Sequence, residues 1–252
     1  MLISIITATY NSEKFLQSAI DSYNKQDYIN KELIVVDGKS NDGTLKIILD
    51  NKSIINQQIS EKDKGIYDAL NKGINLAKGG VIGILHSDDF FADEFTLSQV
   101  NNLFENDSSI QAVYGDLQYV DRDYPTQIIR NWISGYYNRD NFKYGWMPPH
   151  PTLFIKKSCF VKYGSYDLNY HSAADYDLIL RFLFKHQIKT AYLPKVFTIM
   201  RVGGLSNHSF QHRLKANKED RIAMYKNGIK FPLLISILKP LRKLRQYWNK
   251  NS

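Results

Sequence analysis

Asp88 and Asp89 stand side by side shortly after the apolar run Val81-Ile82-Gly83-Ile84-Leu85. Two carboxylates held together at the end of a buried run repel each other unless a cation joins them. A hard divalent ion, Mg2+ or Mn2+, shared with substrate phosphates supplies that charge. The same acids also suit a solvated turn, or the start of a helix around residues 95–104. Far along the chain a further carboxylate, Asp175, follows Ser172-Ala173-Ala174. It has the spacing of a capping box and equally of a lone base facing a cleft. Asp177 and Arg181 are four residues apart, the spacing of a helical ion pair.

Three polar strings lie between these acids and the N-terminus. Thr7-Ala8-Thr9-Tyr10-Asn11-Ser12 offers hydroxyls and an amide but no glycine. It is therefore neither a dinucleotide turn nor a phosphate-cradling loop of the Walker type. It either holds a base and ribose with side chains, or caps a helix through Asn11 or Ser12. Asp37-Gly38-Lys39-Ser40-Asn41-Asp42-Gly43-Thr44 is rich in turn formers. Asp37 there either accepts hydrogen bonds from a base or ribose, or belongs to plain turn chemistry with Asp42 as the helix cap. In the string 60–73, Asp68 and Lys72 are one helical turn apart and pair, whereas Asp63 and Lys64 precede the helix and face the crevice. His150, in a Gly/Pro/aromatic loop over residues 135–151, is a candidate contact for acceptor or diphosphate. His208 follows Gly203-Gly204-Leu205-Ser206-Asn207, and a structural, hydrogen-bonded histidine is the alternative for both.

The elements that must position these groups follow from periodicity. Apolar runs at residues 2–8, 32–37, 54–61 and 81–85 read as strands. Helical spacing separates them: Phe15, Leu16, Ala19, Ile20 and Tyr23; then Leu45, Ile48 and Leu49; then Ile66, Leu70, Ile74 and Ala77. Strands alternating with helices predict an α/β fold with a parallel sheet buried on both faces and a ligand crevice at the strands' carboxyl ends. Later, residues 112–114, 117–120 and Ile128–Trp132 read as strands, and residues 172–186 as a helix burying Tyr176, Ile179, Leu180 and Leu183. The expected organisation is one catalytic domain over residues 1–225, with a donor half to about 115 and an acceptor half beyond it. Residues 226–252 form a basic amphipathic C-terminal helix that Pro240 interrupts or kinks.

The chain has 252 residues, 43% hydrophobic and 23% charged, enough to bury a large core. Its one cysteine, Cys159, excludes an internal disulfide and suits a reducing compartment. No run reaches the roughly 18 apolar residues of a membrane span, and the opening residues read as a strand instead of a leader, so a cytoplasmic location is expected. The formal net charge is +8, with an excess in the tail. There Leu234, Ile237, Leu238, Leu241, Leu244 and Trp248 alternate with Lys239, Arg242, Lys243, Arg245 and Lys250. Such a segment either lies on anionic lipid, here through residues 230–250, or docks on the body.

Taken in order, residues 7–11, 35–44, 63–73 and 87–89 resemble the family 2 glycosyltransferases of the GT-A fold. The likeness continues through Pro149-His150-Pro151-Thr152, Ala174-Asp175-Tyr176-Asp177-Leu178 and Gly203-Gly204-Leu205-Ser206. It is nearest to the branch that assembles bacterial O-antigen and other surface polysaccharides. The resemblance implies a Rossmann-like, mostly parallel sheet and inverting transfer from a nucleotide-sugar, UDP-linked, to an acceptor hydroxyl on a lipid-linked glycan. It puts Asp37 on the base with Thr7 and Asn11 beside it, Asp63 in the nucleotide pocket, Asp88 on the ribose or sugar side, and Asp89 on the metal. His208 would complete the metal site, and Asp175 matches the base. The family more often carries an acid just before that base, where this chain has Ala174. A peripheral site on the inner face of the cytoplasmic membrane would bring the enzyme to a lipid-linked acceptor.

Other classes fit less well. Sugar nucleotidyltransferases open with a Gly-rich, Arg-bearing loop, and nicotinamide enzymes need a glycine fingerprint; residues 7–12 have neither. A nucleic-acid binder would not line its crevice with carboxylates. A nucleotide-sugar binder without turnover shares every feature above except the use of Asp175.

Overall fold

The computed structural model describes residues 1–203 and 210–244, the side chains of 210–213 and 240–244 excepted. Four parallel strands, β1 (Ile3–Thr9), β2 (Lys31–Asp37), β3 (Gln57–Ser60) and β4 (Val81–Ile84), lie in the order β3-β2-β1-β4. They are joined by α1 (Leu16–Asn24), α2 (Thr44–Asp50) and α3 (Ile66–Leu76). Both faces are covered, because alternate side chains of β1 enter opposite layers: Ile3 and Ile5 one, Ile6 and Ala8 the other. β1 has β2 on one side and β4 on the other. That reversal of strand order opens the crevice in which open α/β sheets bind ligands.

Beyond β4 the sheet becomes mixed. β8 (Phe154–Lys156) pairs antiparallel with β4, then follow β6 (Ala112–Val120), β9 (Thr190–Arg201) parallel to β6, and the short β5 (Phe90–Phe91). β7 (Ile128–Trp132) adds a hairpin partner to β6. Helices α4 (Thr96–Asn106), α5 (Lys157–Tyr163), α6 (Ala174–Ile179), α7 (Phe210–Lys226) and α8 (Pro232–Leu244) complete the fold. The predicted helix over 172–186 is α6 continued by a π-helical stretch, Leu180–Lys185.

The structure departs from the periodicity in places. The two strands expected at 112–114 and 117–120 are one strand, β6, which also crosses the boundary placed between donor and acceptor halves near residue 115. Its register against β9 slips around Asp116, and Gly115 is needed there because a Cβ would lie 2.6 Å from the Phe197 ring. β9 itself escaped prediction, since Pro194 interrupts its pattern; the slip from Tyr114↔Tyr192 to Asp116↔Val196 leaves extra residues on the proline side. Finally, α1 begins at Leu16 without a side-chain cap, as Ser12 receives the Phe15 and Leu16 amides on its carbonyl.

Residues 226–252 are not a single helix. α7 runs to Lys226, the chain turns at Gly228 with a positive φ of 83°, and α8 passes through position 240. α8 docks on the body: Ile235 is buried, and Lys239 pairs with Asp220 at 2.7 Å and lies 3.5 Å above the Tyr176 ring. Its other side leaves Leu233, Leu234 and Ile237 exposed, with Phe231 just before the helix and Tyr225 on α7. Among the described residues no helix is long and apolar enough to cross a membrane.

Candidate active site

The polar strings gather at the carboxyl edge of the parallel strands. Thr7 is not in the first loop but inside β1, opposite Val35 and fully buried. The loop starts at Tyr10, which is exposed. Asn11 ties this loop to the next: its amide donates to Ser40 Oγ at 2.8 Å and its Oδ1 accepts from the Asn41 amide at 3.0 Å. Asp42 accepts from the Thr44 and Glu13 amides, so it braces the start of α2.

Asp37 ends β2 at 0% exposure. It accepts from the Ser40 amide, from Ser40 Oγ at 2.5 Å and from Ser60 Oγ at 2.6 Å. The carboxylate that the resemblance put on a base thus also ties the loop after β2 to the last residue of β3. Asp63 is more open. Its Oδ1 accepts from the Gly65 amide, and its Oδ2 sits where a Gly38 Cβ would be, 2.6 Å away, beside the Tyr10 ring. Tyr10, Gly38 and Asp63 therefore form one shallow corner. Lys64 is exposed nearby, its amide held by Asp68 at 3.1 Å.

α3 has two polar faces. Asp68 and Lys72 pair as expected, at 3.4 Å, with Glu61 adding a 2.8 Å contact to Lys72. Tyr67 and Asn71, also one turn apart, point the other way. Asn71 grips Tyr166 through both backbone groups at 2.9 Å, and the Tyr67 ring stacks on that of Tyr166 at 5.6 Å. The Tyr67 hydroxyl donates to Asp175 Oδ1 at 3.1 Å. Burial, then the Asp175 charge, raises the Tyr67 pKa, so the hydroxyl keeps its proton.

Asp175 is half-buried in the first turn of α6. The capping box is not formed: Ala173 stands at the cap position, while the His171 and Ser172 amides are taken by Glu219. Asp177, by contrast, is fully buried, with Arg181 at 3.6 Å and Asn227 donating at 2.8 Å.

At the end of β4 the adjacent acids diverge. The turn closed by Asp89 N to His86 O buries Asp89 at 0% exposure, with neither carboxylate oxygen bonded among the described residues. Burial first, then the Asp88 charge, pushes its pKa well up, with the charge of Arg201 acting against that rise. Asp88 retains 29% side-chain exposure, with Arg122 at 3.8 Å. The expected division, Asp88 on the sugar side and Asp89 on the metal, meets the reverse order of accessibility. His208 lies outside the described residues.

His150, 8% exposed, has Nε2 2.7 Å from the Tyr166 hydroxyl, and its pKa is pushed down to about 3 by burial and by His86. It is a neutral, bonded histidine in the wall. His86 was missed by sequence reasoning. Its ring lies 6.0 Å from that of His150. Burial lowers its pKa, while the charges of Asp88 and Asp175 oppose the shift. Its place at the strand end, directly before Ser87-Asp88, was the available signal. Ser12 Oγ and Ser87 Oγ, 3.0 Å apart, close the crevice floor between β1 and β4.

Among the described residues no three histidine, cysteine or acidic side chains cluster as a complete metal site. The half-exposed carboxylate of Asp88, backed by the unbonded buried oxygens of Asp89, nevertheless fits a hard divalent ion whose other ligands come from phosphate and water.

The fold is shared with S. aureus TarS 1–349 in complex with UDP-GlcNAc, at TM-score 0.68 and 19% identity over 90% of this chain and 65% of that one. It is shared too with the mannosyltransferase PcManGT of Pyrobaculum calidifontis, in complex with GDP-Man and Mn2+, at 0.67 and 17% over 98% and 71%. Parallel strands, crevice and mixed extension are thus those of the GT-A fold. The model of Glycosyl transferase family 2 matches residues 4–159. A PGL/p-HBAD biosynthesis glycosyltransferase of Mycobacterium bovis is 30% identical over 213 residues, 82% of this chain and 79% of that one. Chondroitin synthase of Escherichia coli is 30% identical over 205 residues, 76% of this chain and 28% of that protein. The chain belongs to glycosyl transferase family 2.

Proposed function

We propose that this glycosyltransferase inverts the anomeric centre as it moves a hexose or N-acetylhexosamine from a UDP-sugar to a hydroxyl of a lipid-linked glycan. The setting we assign is the synthesis of a surface polysaccharide such as O-antigen in lipopolysaccharide. The observation that carries the reading is a pair of partly exposed carboxylates from distant parts of the chain, Asp88 just past β4 and Asp175 at the start of α6, the latter tied to α3 by the Tyr67 hydroxyl at 3.1 Å. Two carboxylates flanking one opening is what in-line transfer needs: a base at the attacking hydroxyl and negative ligands at the leaving diphosphate. The UDP-GlcNAc complex of one fold neighbour supports a uridine donor, and the Mn2+ bound to another supports a metal-dependent reaction.

The nucleoside lies in the corner of Tyr10, Gly38 and Asp63, with Asn11 and Asp37 shaping the loops around it and Lys64 at the rim. Asp88, assisted by Asp89, holds Mg2+ or Mn2+ at the diphosphate, and His208 is the candidate further ligand. An ion held there would supply Lewis acidity to the leaving diphosphate. Asp175 takes the proton of the acceptor hydroxyl as it attacks, and His150 orders the wall behind it. The location we assign is cytoplasmic, with Phe231, Leu233, Leu234 and Ile237 touching the inner membrane face where a lipid-linked acceptor resides.

The test is nucleoside diphosphate release and thermal shift across UDP-, GDP- and dTDP-sugars with Mn2+ and with EDTA. One donor should stabilise the protein preferentially and be turned over. Asp175→Asn should keep donor binding and lose turnover by about 100- to 10,000-fold. Donor binding without turnover by the wild type, in the presence of glycan acceptors, would make this a binding protein.

A further inference from the structure

Tyr67 belongs to the donor half and Asp175 to the acceptor half, 108 residues apart, yet a 3.1 Å hydrogen bond joins them. We infer that Tyr67 is the positioning residue of Asp175, and that the Tyr67-x-x-x-Asn71 face of α3 exists to aim that carboxylate. This rests on the reading of Asp175 as the base and names the device that holds it.

Several contacts converge on the role. A half-buried carboxylate in the first turn of a short helix can rotate among rotamers, and only one orientation keeps an oxygen toward an acceptor hydroxyl. Tyr67 fixes Asp175 Oδ1, which leaves Oδ2 for the acceptor proton. The Tyr67 ring is itself fixed by stacking at 5.6 Å on Tyr166. Tyr166 is buried and cannot drift: Asn71 holds its backbone N–H and C=O at 2.9 Å, and its hydroxyl meets His150 Nε2 at 2.7 Å. Tyr67 and Asn71 are i and i+4, so one helical face supplies both the orienting hydroxyl and the anchor of its support. The ion pair of Asp68 and Lys72 occupies the other face and takes no part.

A purely structural tie predicts something different from a positioning tie. Tyr67→Phe keeps the ring on Tyr166 and removes only the hydroxyl. It should melt within a degree or two of the wild type and bind UDP with Mn2+ at unchanged Kd. Its kcat for nucleotide release, measured with the best donor of a UDP-, GDP- and dTDP-sugar panel, should fall roughly 10-fold or more. Asn71→Ala should lower kcat in the same direction, and Tyr67→Phe combined with Asp175→Asn should be no slower than Asp175→Asn alone. An unchanged kcat in Tyr67→Phe, with Asp175→Asn inactive, would overturn the inference and leave the base standing. Weaker UDP binding at unchanged kcat would make Tyr67 a donor contact instead. Wild-type turnover by Asp175→Asn would remove the base, and the inference with it.

Discussion

Ser12 and Ser87 share a 3.0 Å hydrogen bond across the gap between β1 and β4, the point at which the strand order reverses. The bond ties the loop after β1 to the segment after β4. One serine lies two residues after the exposed Tyr10 and the other directly before Asp88, so the Tyr10 loop and the acidic pair share one brace.

Accessibility orders the roles of the two adjacent acids. Asp88→Asn should weaken Mn2+-dependent UDP binding by about 100-fold, the equivalent of ~3 kcal/mol. Asp89→Asn, acting from behind, should cost about 10- to 100-fold and leave the metal-free protein no less stable. Titration calorimetry of UDP with Mn2+ and a metal-free melt measure both; a larger loss in Asp89→Asn returns the ion to that residue.

His150 links stability to acid. Its folded pKa is depressed to about 3 by burial and by His86, whereas a free histidine titrates near 6.5. Below about 6.5 the unfolded chain takes up a proton that the folded one refuses. Stability is therefore fully present above that pH and drains away as pH falls toward about 3, by up to ~1.4 kcal/mol per pH unit. Urea denaturation at pH 7, 6, 5 and 4 should show a shallower decline for His150→Gln than for the wild type. Parallel declines would mean the imidazole is charged in the fold.

Gly73 marks where α3 lies hard against β1. An added Cβ would sit 2.3 Å from Ile6 Cγ2, in the middle of a buried strand. Gly73→Ala should destabilise by ~1–3 kcal/mol despite alanine's better helix propensity. The melting temperature should drop by about 2–4 °C for each kcal/mol, and a rise would show that the layers can separate.

The apolar face of α8 should behave as a membrane contact. Co-sedimentation with vesicles containing phosphatidylglycerol should exceed that with phosphatidylcholine alone and weaken with salt. Leu234→Glu with Ile237→Glu should abolish it without lowering nucleotide release from a soluble donor. Equal binding by that variant would place any lipid contact elsewhere.

The first half of the fold was legible because strand and helix periods alternate there and every polar string falls at a strand end. Legibility fails where a residue's task is set by partners distant in sequence. Nothing local in Tyr67 announces Asp175, and nothing local in Asp37 announces Ser60, which donates to its carboxylate from a neighbouring strand. Asp88 and Asp89 are indistinguishable in sequence; a turn after β4 separates one to the crevice and the other to the interior. β9 was hidden by Pro194, whose missing N–H the bulge against β6 accommodates.

β6 threads through both halves, linked to β4 by way of β8 and flanked by β9. Backbone ladders thus join β4, β8, β6 and β9 into one continuous sheet beneath the segments that carry Asp88 and His150. Shielding of the reacting sugar from water therefore falls to the connecting segments above the strand ends, and variants of this scaffold would change their sugar preference through those segments while the reacting geometry stays constant.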